Sequence, residues 1–513
     1  MRFLAGALSA LLLAASMNDQ PLEASPSCEG LASLTLPNAT ITLARMVDAG
    51  AFSPIAPPVG AVSSGATAQA FHAPRAFCRV AATLKPSSDS DIKIELWMPA
   101  ANWNGKFQAV GNGAFNGTIA YGAMMTALGR GYATGSTDTG HVGGSASFAF
   151  GHPEKAIDFG WRAVHEMTVI SKKIIAAYYD AGPRLSYWNG CSAGGRQGMK
   201  EAQRFPADFD GIIAGAPGLD WTGRAAQAVH VAQALQKDEG ARLSSAKARL
   251  VHTAVLAACD LQDGVKDGVV DDPKRCAFDP GVLQCKGAED ASCLTPKQVD
   301  TARMLYSPQV NRKTTRDVTG LEPGSELGWT DFGWSASARA TGLDQFRFLV
   351  FKDPRWDLDK FNFETDIVRA EETDNNTINA LDPNLKAFID RGGRLIQYHG
   401  WSDPQISPGN SVQYYQRVLE ALGGVSRVQG SYRLFMAPGM AHCGGGDGPN
   451  TFDMVSALEQ WVEQGNAPDQ VIASHATSGV VDRTRPLCPY PQVARHKGLG
   501  STNEAANFVC KVP

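Results

Sequence analysis

The stretch Gly190-Cys191-Ser192-Ala193-Gly194 constrains this chain more than any other. It follows an apolar, strand-like run at 185–189 and precedes a polar, helix-like run at 196–205. A serine with a glycine two residues away on each side, set between a strand and a helix, is the pattern of a sharp turn that exposes the serine hydroxyl at the end of a sheet. A strand that turns directly into a helix is the unit of a mostly parallel sheet with helices on its faces. The pattern is short, and its weight depends on what the rest of the chain places beside it.

The same alternation runs through the flanking sequence. Residues 92–98 alternate apolar and polar side chains as a strand does. Residues 106–110 form a short strand that enters the glycine-rich Gly111-Asn112-Gly113-Ala114-Phe115-Asn116-Gly117, and 132–135 is another strand end. Residues 161–179 carry Val164, Met167, Ile170 and Ile174 near helical spacing, and 212–217 is the next buried strand. After about residue 219 the pattern breaks. Residues 220–380 are rich in Gly, Pro, Asp and Trp and hold four of the ten cysteines, the composition of an insertion. The alternation resumes with a helix at 384–390, strands at 394–398 and 432–436, and a terminal helix at 454–464. The expected architecture is an α/β core made of residues 25–219 and 381–513, interrupted by an inserted domain at 220–380.

Composition narrows the function classes. With 43% hydrophobic and 19% charged residues the chain has ordinary globular content. A net charge of -4 and the lack of any basic run give no basis for a nucleic-acid partner. Arg2 followed by an apolar, small-residue run at 3–15 reads as a signal peptide within residues 1–24, its cleavage point left open. No later segment has 18 uninterrupted apolar residues, so no membrane span is expected. The ten cysteines fit an oxidised protein, secreted or periplasmic. Sequence does not fix their connectivity; local spacing suggests Cys28–Cys78, Cys259–Cys276, Cys285–Cys293 and Cys488–Cys510, which leaves Cys191 and Cys443 for each other.

Ligands in this fold class bind at the carboxyl ends of strands. The strand at 394–398 runs into His399-Gly400-Trp401-Ser402-Asp403, and the strand at 432–436 into Ala437-Pro438-Gly439-Met440-Ala441-His442-Cys443. The resulting order Ser192, Asp403, His442 is that of α/β-hydrolases. Serine is a poor nucleophile at neutral pH, so His442 is expected to take its proton and Asp403 to orient the imidazole. The backbone N–H groups of Ala193 and Gly113 are the expected oxyanion donors, with Ala114 next to Gly113. His399 competes as the base but reads as a support of the Asp403 loop. Asp138 and His141 read as structural hydrogen-bonding residues. The 111–117 loop lacks the G-K-[ST] ending of a phosphate loop. If Ser192 and His442 meet, Cys191 and Cys443 are brought close as well.

A second acidic constellation lies in the insertion. Asp260, Asp263 and Asp267 fall at short intervals in a glycine-containing loop, with the carbonyls of Val265 and Val269 as further oxygens. Such a set suits a hard cation such as Ca²⁺; a solvated acidic turn is the equal alternative.

The motifs Gly190-Cys191-Ser192-Ala193-Gly194-Gly195, Asp403 within 399–403, His442-Cys443, Gly111-Asn112-Gly113 and the 259–269 loop together resemble the tannase and feruloyl esterase family, which includes mono(2-hydroxyethyl) terephthalate hydrolases. The resemblance spans about residues 28–510. It implies an α/β-hydrolase core with an inserted lid domain, a Cys191–Cys443 bridge, and structural Ca²⁺ held by Asp260, Asp263, Val265, Asp267 and Val269. It implies no organic cofactor. It further implies an aromatic-acid ester as substrate, small or linked to plant polysaccharide or polyphenol, with a feruloyl ester first, a galloyl ester (tannase) next and a terephthalate half-ester third. Within the insertion, Trp329, Trp334 and Phe346 are the candidate pocket aromatics, with Phe332 and Phe348 beside them and a place in the insertion's own core as the alternative for all five, and Arg339 is a candidate carboxylate binder. A non-catalytic carbohydrate-binding protein is the alternative from a different class. Oligomeric state is not read from the sequence.

Overall fold

Nine strands form one sheet: β1 (Ala39–Val47), β2 (Phe77–Leu84), β3 (Ile92–Pro99), β4 (Lys106–Val110), β5 (Ala133–Thr137), β6 (Leu185–Cys191), β7 (Gly211–Gly215), β8 (Arg394–Gly400) and β9 (Tyr432–Ala437). Their order is β1-β2-β3-β5-β4-β6-β7-β8-β9. The pairs β1–β2, β2–β3 and β3–β5 are antiparallel. From β5 across to β9 every pair is parallel. This computed structural model describes residues 27–52, 73–312, 314, 317–331 and 340–513. The expected signal peptide, and Phe332, Trp334 and Arg339, lie outside the described residues.

Burial explains the strand sequences. Every residue of β4, β5 and β7 is buried, as expected for parallel strands covered on both faces. One face is covered by α2 (Ala163–Tyr179), preceded in the chain by α1 (Tyr121–Gly129), and by α3 (Ala193–Arg204). Val164, Met167, Ile170, Ile174 and Ile175 of α2 join Met199 and Ala202 of α3 in the largest apolar cluster. The opposite face is covered by the C-terminal helix Met454–Gln464, whose Leu458 and Trp461 pack with Ile213, Ile396 and Phe435.

The chain between β7 and β8 is helical: α4 (Trp221–Lys237), α5 (Ser245–Cys259), α6 (Pro296–Tyr306) and α7 (Phe363–Asp374). The ends are encoded locally. Ser244 accepts from Lys247 N–H, and Thr295 and Gln298 form a capping box with Pro296 at the first helical position. This segment has two apolar clusters of its own, one around Leu235, Val255, Leu305 and Trp329, the other around Val229, Phe346, Trp356 and Phe361. All five disulfides join the pairs that spacing suggested, including Cys191 to Cys443 across 252 residues. Among the described residues no helix is long and apolar enough to cross a membrane.

Candidate active site

Ser192 sits at the tip of the β6-to-α3 turn with φ 64° and ψ -123°, a conformation that non-glycine residues rarely adopt. Its N–H donates to the Gly215 carbonyl (2.9 Å), and its own carbonyl accepts from Arg196 N–H (3.0 Å). The glycines around it are required by close approach. A Cβ on Gly190 would lie 2.6 Å from the Gly194 carbonyl, and one on Gly195 would overlap the Gly215 carbonyl oxygen. The backbone is thereby held so that the Ser192 hydroxyl points away from the sheet.

The acid and base arrive on the loops after β8 and β9. His442 Nε2 is 2.9 Å from Ser192 Oγ. His442 Nδ1 is 2.7 Å from Asp403 Oδ2. Asp403 is fully buried, and its Oδ1 accepts from the N–H groups of Gln405 (2.7 Å) and Ile406 (3.0 Å). Burial alone would push this carboxyl's pKa up; the charges and hydrogen bonds of His442 and His399 outweigh it and hold the pKa far below the usual carboxylate range. With Asp403 ionised, Nδ1 of His442 carries the proton and Nε2 is left to accept from Ser192. The two loops are fastened to each other: Ser402 N–H donates to the Met440 carbonyl (3.0 Å) and Trp401 N–H to that of Ala437 (2.9 Å).

His399 does not reach Ser192. Its Nε2 faces Asp403 Oδ2 and the Ile406 carbonyl, each at 3.1 Å, and its Nδ1 faces Ser411 Oγ at 2.7 Å. Both of its nitrogens are engaged in supporting the acid.

Gly113 and Ala193 lie where the 111–117 loop meets the start of α3. Gly111 packs on Gly194, where a side chain at Gly111 would collide with the Gly194 Cα. Asn112 N–H donates to Gln197 Oε1 (3.1 Å), and Gln197 Nε2 returns a bond to Asn112 Oδ1 (3.3 Å). Among the described residues no hydrogen bond reaches the N–H of Gly113 or of Ala193. His141 Nε2 is 2.7 Å from the Phe115 carbonyl, and Asp138 Oδ1 accepts from Lys93 and Gly140 N–H. The Asn112–Gln197 clasp escaped the sequence reading because Gln197 belongs to no motif and lies 85 residues from Asn112.

The aromatic residues are placed differently from expectation. Trp329 and Phe346 are fully buried in the inserted segment's own core and do not line the site. Trp329 donates from Nε1 to Ser325 Oγ (3.1 Å) and packs edge-on against Tyr306; Phe346 packs on Trp356 and Phe361. Phe348, in contrast, packs with Phe115, Phe159 and Trp221 in the cluster that contains Ala193. Phe346 and Phe348, two residues apart, pack into different clusters, and sequence alone does not separate them.

In the acidic loop, Asp260 accepts from the N–H groups of Asp267 (3.0 Å) and Gly268 (3.1 Å). Asp263 accepts from Val265 N–H (2.9 Å), and Asp267 pairs with Arg483 (3.1 Å) and Arg485. Asp263, Asp267 and Val269 line a small cavity with Asp271, a residue outside the expected set. Asp271 Oδ2 is buried without a hydrogen-bond partner, and burial, then the neighbouring Asp263, push its pKa up to about 7. Oxygen donors suit a hard divalent cation, while Asp267 is already paired with two arginines, and Arg485 lines the same cavity.

A family profile described as "Tannase and feruloyl esterase" matches residues 78–511. The chain belongs to the tannase and feruloyl esterase family. It is 38% identical to an uncharacterised esterase of Xanthomonas campestris pv. campestris, over 98% of this chain and 93% of that one. It is 34% identical to mono(2-hydroxyethyl) terephthalate hydrolase of Piscinibacter sakaiensis, over 96% and 93% of the two chains. The crystal structure of feruloyl esterase B from Aspergillus oryzae superposes with a TM-score of 0.88 at 31% identity, covering 94% of this chain and 99% of that one. This chain is accordingly a carboxylic ester hydrolase with an α/β-hydrolase core.

Proposed function

We propose that this chain is a secreted or periplasmic serine esterase that cleaves esters of aromatic carboxylic acids, feruloyl esters first, through Ser192, His442 and Asp403. The observation that carries the reading is the unbroken chain of short contacts from Ser192 Oγ through His442 to Asp403 Oδ2, at 2.9 and 2.7 Å, in a member of this family. Ser192 Oγ attacks the ester carbonyl carbon while His442 Nε2 accepts its proton. The tetrahedral oxyanion is met by the N–H groups of Gly113 and Ala193, each such donor contributing about 3 kcal/mol to the lowering of the barrier. Collapse expels the alcohol, which takes the proton from His442 and leaves the acyl group on Ser192. Water then repeats the sequence and releases the acid.

The inserted segment, about residues 220–380, serves as the lid over this site. Ala193 belongs to an apolar cluster with Phe115, Phe159 and Trp221, against which the partly buried Phe348 packs, an aromatic setting that supports an aromatic acyl group. Five disulfides favour an oxidising compartment. Ca²⁺ would be held by Asp260, Asp263 and Asp267 with the carbonyls of Val265 and Val269, where it supplies charge neutralisation and holds the loop in shape. Hydrolysis itself calls on no organic cofactor. The non-catalytic carbohydrate-binding alternative is not retained for a family of ester hydrolases.

The test is an ester panel of methyl ferulate, methyl gallate and mono(2-hydroxyethyl) terephthalate, with Ser192→Ala as control. Methyl ferulate is expected to give the highest kcat/KM, with all turnover lost in the variant. A higher kcat/KM on either other ester reassigns the acyl group, and no turnover of any of them overturns the substrate class.

A further inference from the structure

Three side chains meet at the end of α3 remote from Ser192. Glu201 comes from α3, His165 from α2, and Asp208 from the turn that leads into β7. One ligand atom of each lies within 4.8 Å of those of the other two, and among the described residues no other set of three His, Cys, Asp or Glu side chains meets in this way. His165 Nδ1 is 2.6 Å from Asp208 Oδ2, and Phe205 stacks on the imidazole at 3.8 Å between ring centroids.

Glu201 is the anomaly. It is 1% exposed, and neither of its carboxylate oxygens meets a donor among the described residues; the polar group that faces it is the Asp208 carboxylate. A carboxylate without donors in such a place requires either a proton or a cation. Lys172 is the nearby base; its ammonium donates to the Asp208 backbone carbonyl and leaves the Glu201 oxygens unbonded. Asp208 and Asp210 both face the Lys172 charge.

We propose that His165, Glu201 and Asp208 bind a divalent transition-metal cation of the Zn²⁺, Co²⁺ or Mn²⁺ type. One imidazole nitrogen with two carboxylates suits these borderline ions, in contrast to the all-oxygen acidic loop. Bonds of about 2.0–2.2 Å in tetrahedral array place donors roughly 3.3–3.6 Å apart, so on binding the ion His165 Nδ1 and Asp208 Oδ2 separate from their 2.6 Å contact and the Glu201 carboxylate draws in. The side chains of His165 and Asp208 are 26% and 13% exposed, which gives the ion a path from solvent and room for water ligands. The cation ties α2, the helix that carries Ser192 at its start, and the following turn at a single point. The proposal does not depend on the catalytic reading of Ser192.

The experiment uses full-length protein stripped with chelator, restored with Ca²⁺, and titrated with Co²⁺ alone. The readouts are the visible absorption of bound Co²⁺ and the Tm. One equivalent of Co²⁺ is expected, displaced by Zn²⁺, with a Tm rise of about 3 °C at a hundredfold excess over Kd. Glu201→Gln keeps the shape of the buried group, and His165→Gln changes a partly exposed one; each is expected to lose the absorption and the Tm rise while retaining ester hydrolysis. No Co²⁺ binding, or Co²⁺ binding unchanged in both variants, overturns the proposal and leaves Glu201 as a protonated partner of Asp208.

Discussion

His399 and His442 converge on one atom: Oδ2 of Asp403 lies 3.1 Å from the Nε2 of the first and 2.7 Å from the Nδ1 of the second. His399 is itself held by Ser411, so the acid is oriented from the side opposite the base. A hydrogen bond to a charged group contributes about 1.5–3 kcal/mol. His399→Phe is therefore expected to lower kcat by about ten- to a hundredfold with KM little changed, since His399 does not face the Ser192 side of the site. Steady-state kinetics on one ester checks this; a purely structural histidine would shift Tm and leave kcat of the folded enzyme intact.

The bridge between Cys191 and Cys443 joins the residue before the nucleophile to the residue after the base. The chain-entropy model gives at most about 5 kcal/mol for so long a loop. Its geometric effect is larger, because Ser192 and His442 otherwise rest on separate loops. The double variant Cys191→Ala with Cys443→Ala is expected to lose about tenfold or more in kcat while Tm falls by only a few degrees. Unchanged turnover in a folded double variant would remove the bridge from the mechanism.

The pH dependence follows from Asp403. Its folded pKa lies below the unfolded value of about 3.9. The stabilisation it contributes is therefore present above that value and is lost as pH falls toward the folded pKa. Between about pH 4 and pH 7 Asp403 stays ionised and is expected to add no proton to the acid limb of kcat/KM. A limb of slope two in that interval would place a second titrating carboxyl in the site.

Removal of the proposed Ca²⁺ is expected to lower Tm by several degrees and to change kcat less than about threefold at temperatures below the transition. Asp263→Asn should do the same without chelator. The arginines of the C-terminal hairpin, Arg483 and Arg485, pair with Asp267 and hold this loop against the body of the protein, so protease sensitivity of residues 471–487 should rise together with the loss of metal. Bound calcium measured by elemental analysis, at one equivalent in the native protein and none in the variant, is the direct check.

Much of the core was legible because its signal is local. The runs that became β4, β8 and β9 are apolar and short, and the turn at Ser192 has a fixed spacing. Of the antiparallel edge only β3 was legible, as the alternating run at 92–98. β1 is largely exposed, and β2 and β3 bury Arg79 and Glu95 at 3% and 5% exposure as an ion pair, in positions where a pattern reading expects solvent. The inserted helices were hidden for a related reason. α4 buries nearly all of its circumference, including Gln227 and Gln233, whose amides donate to backbone carbonyls, and this erases the polar face that marks an amphipathic helix. Trp329, Phe346 and Phe348 share one composition, and only packing separates core from site.

The two cysteines beside the triad also close a covalent ring in the chain. Everything between Cys191 and Cys443, including all of the inserted segment and the acid, lies inside that ring. A cut anywhere in the insertion yields two pieces that stay joined next to the reacting serine, and a longer or shorter insertion changes the size of the ring without changing where it is fastened. The part of the molecule that shapes the pocket is thereby free to vary, nicked or rebuilt, while the distance between nucleophile and base is fixed by a bond.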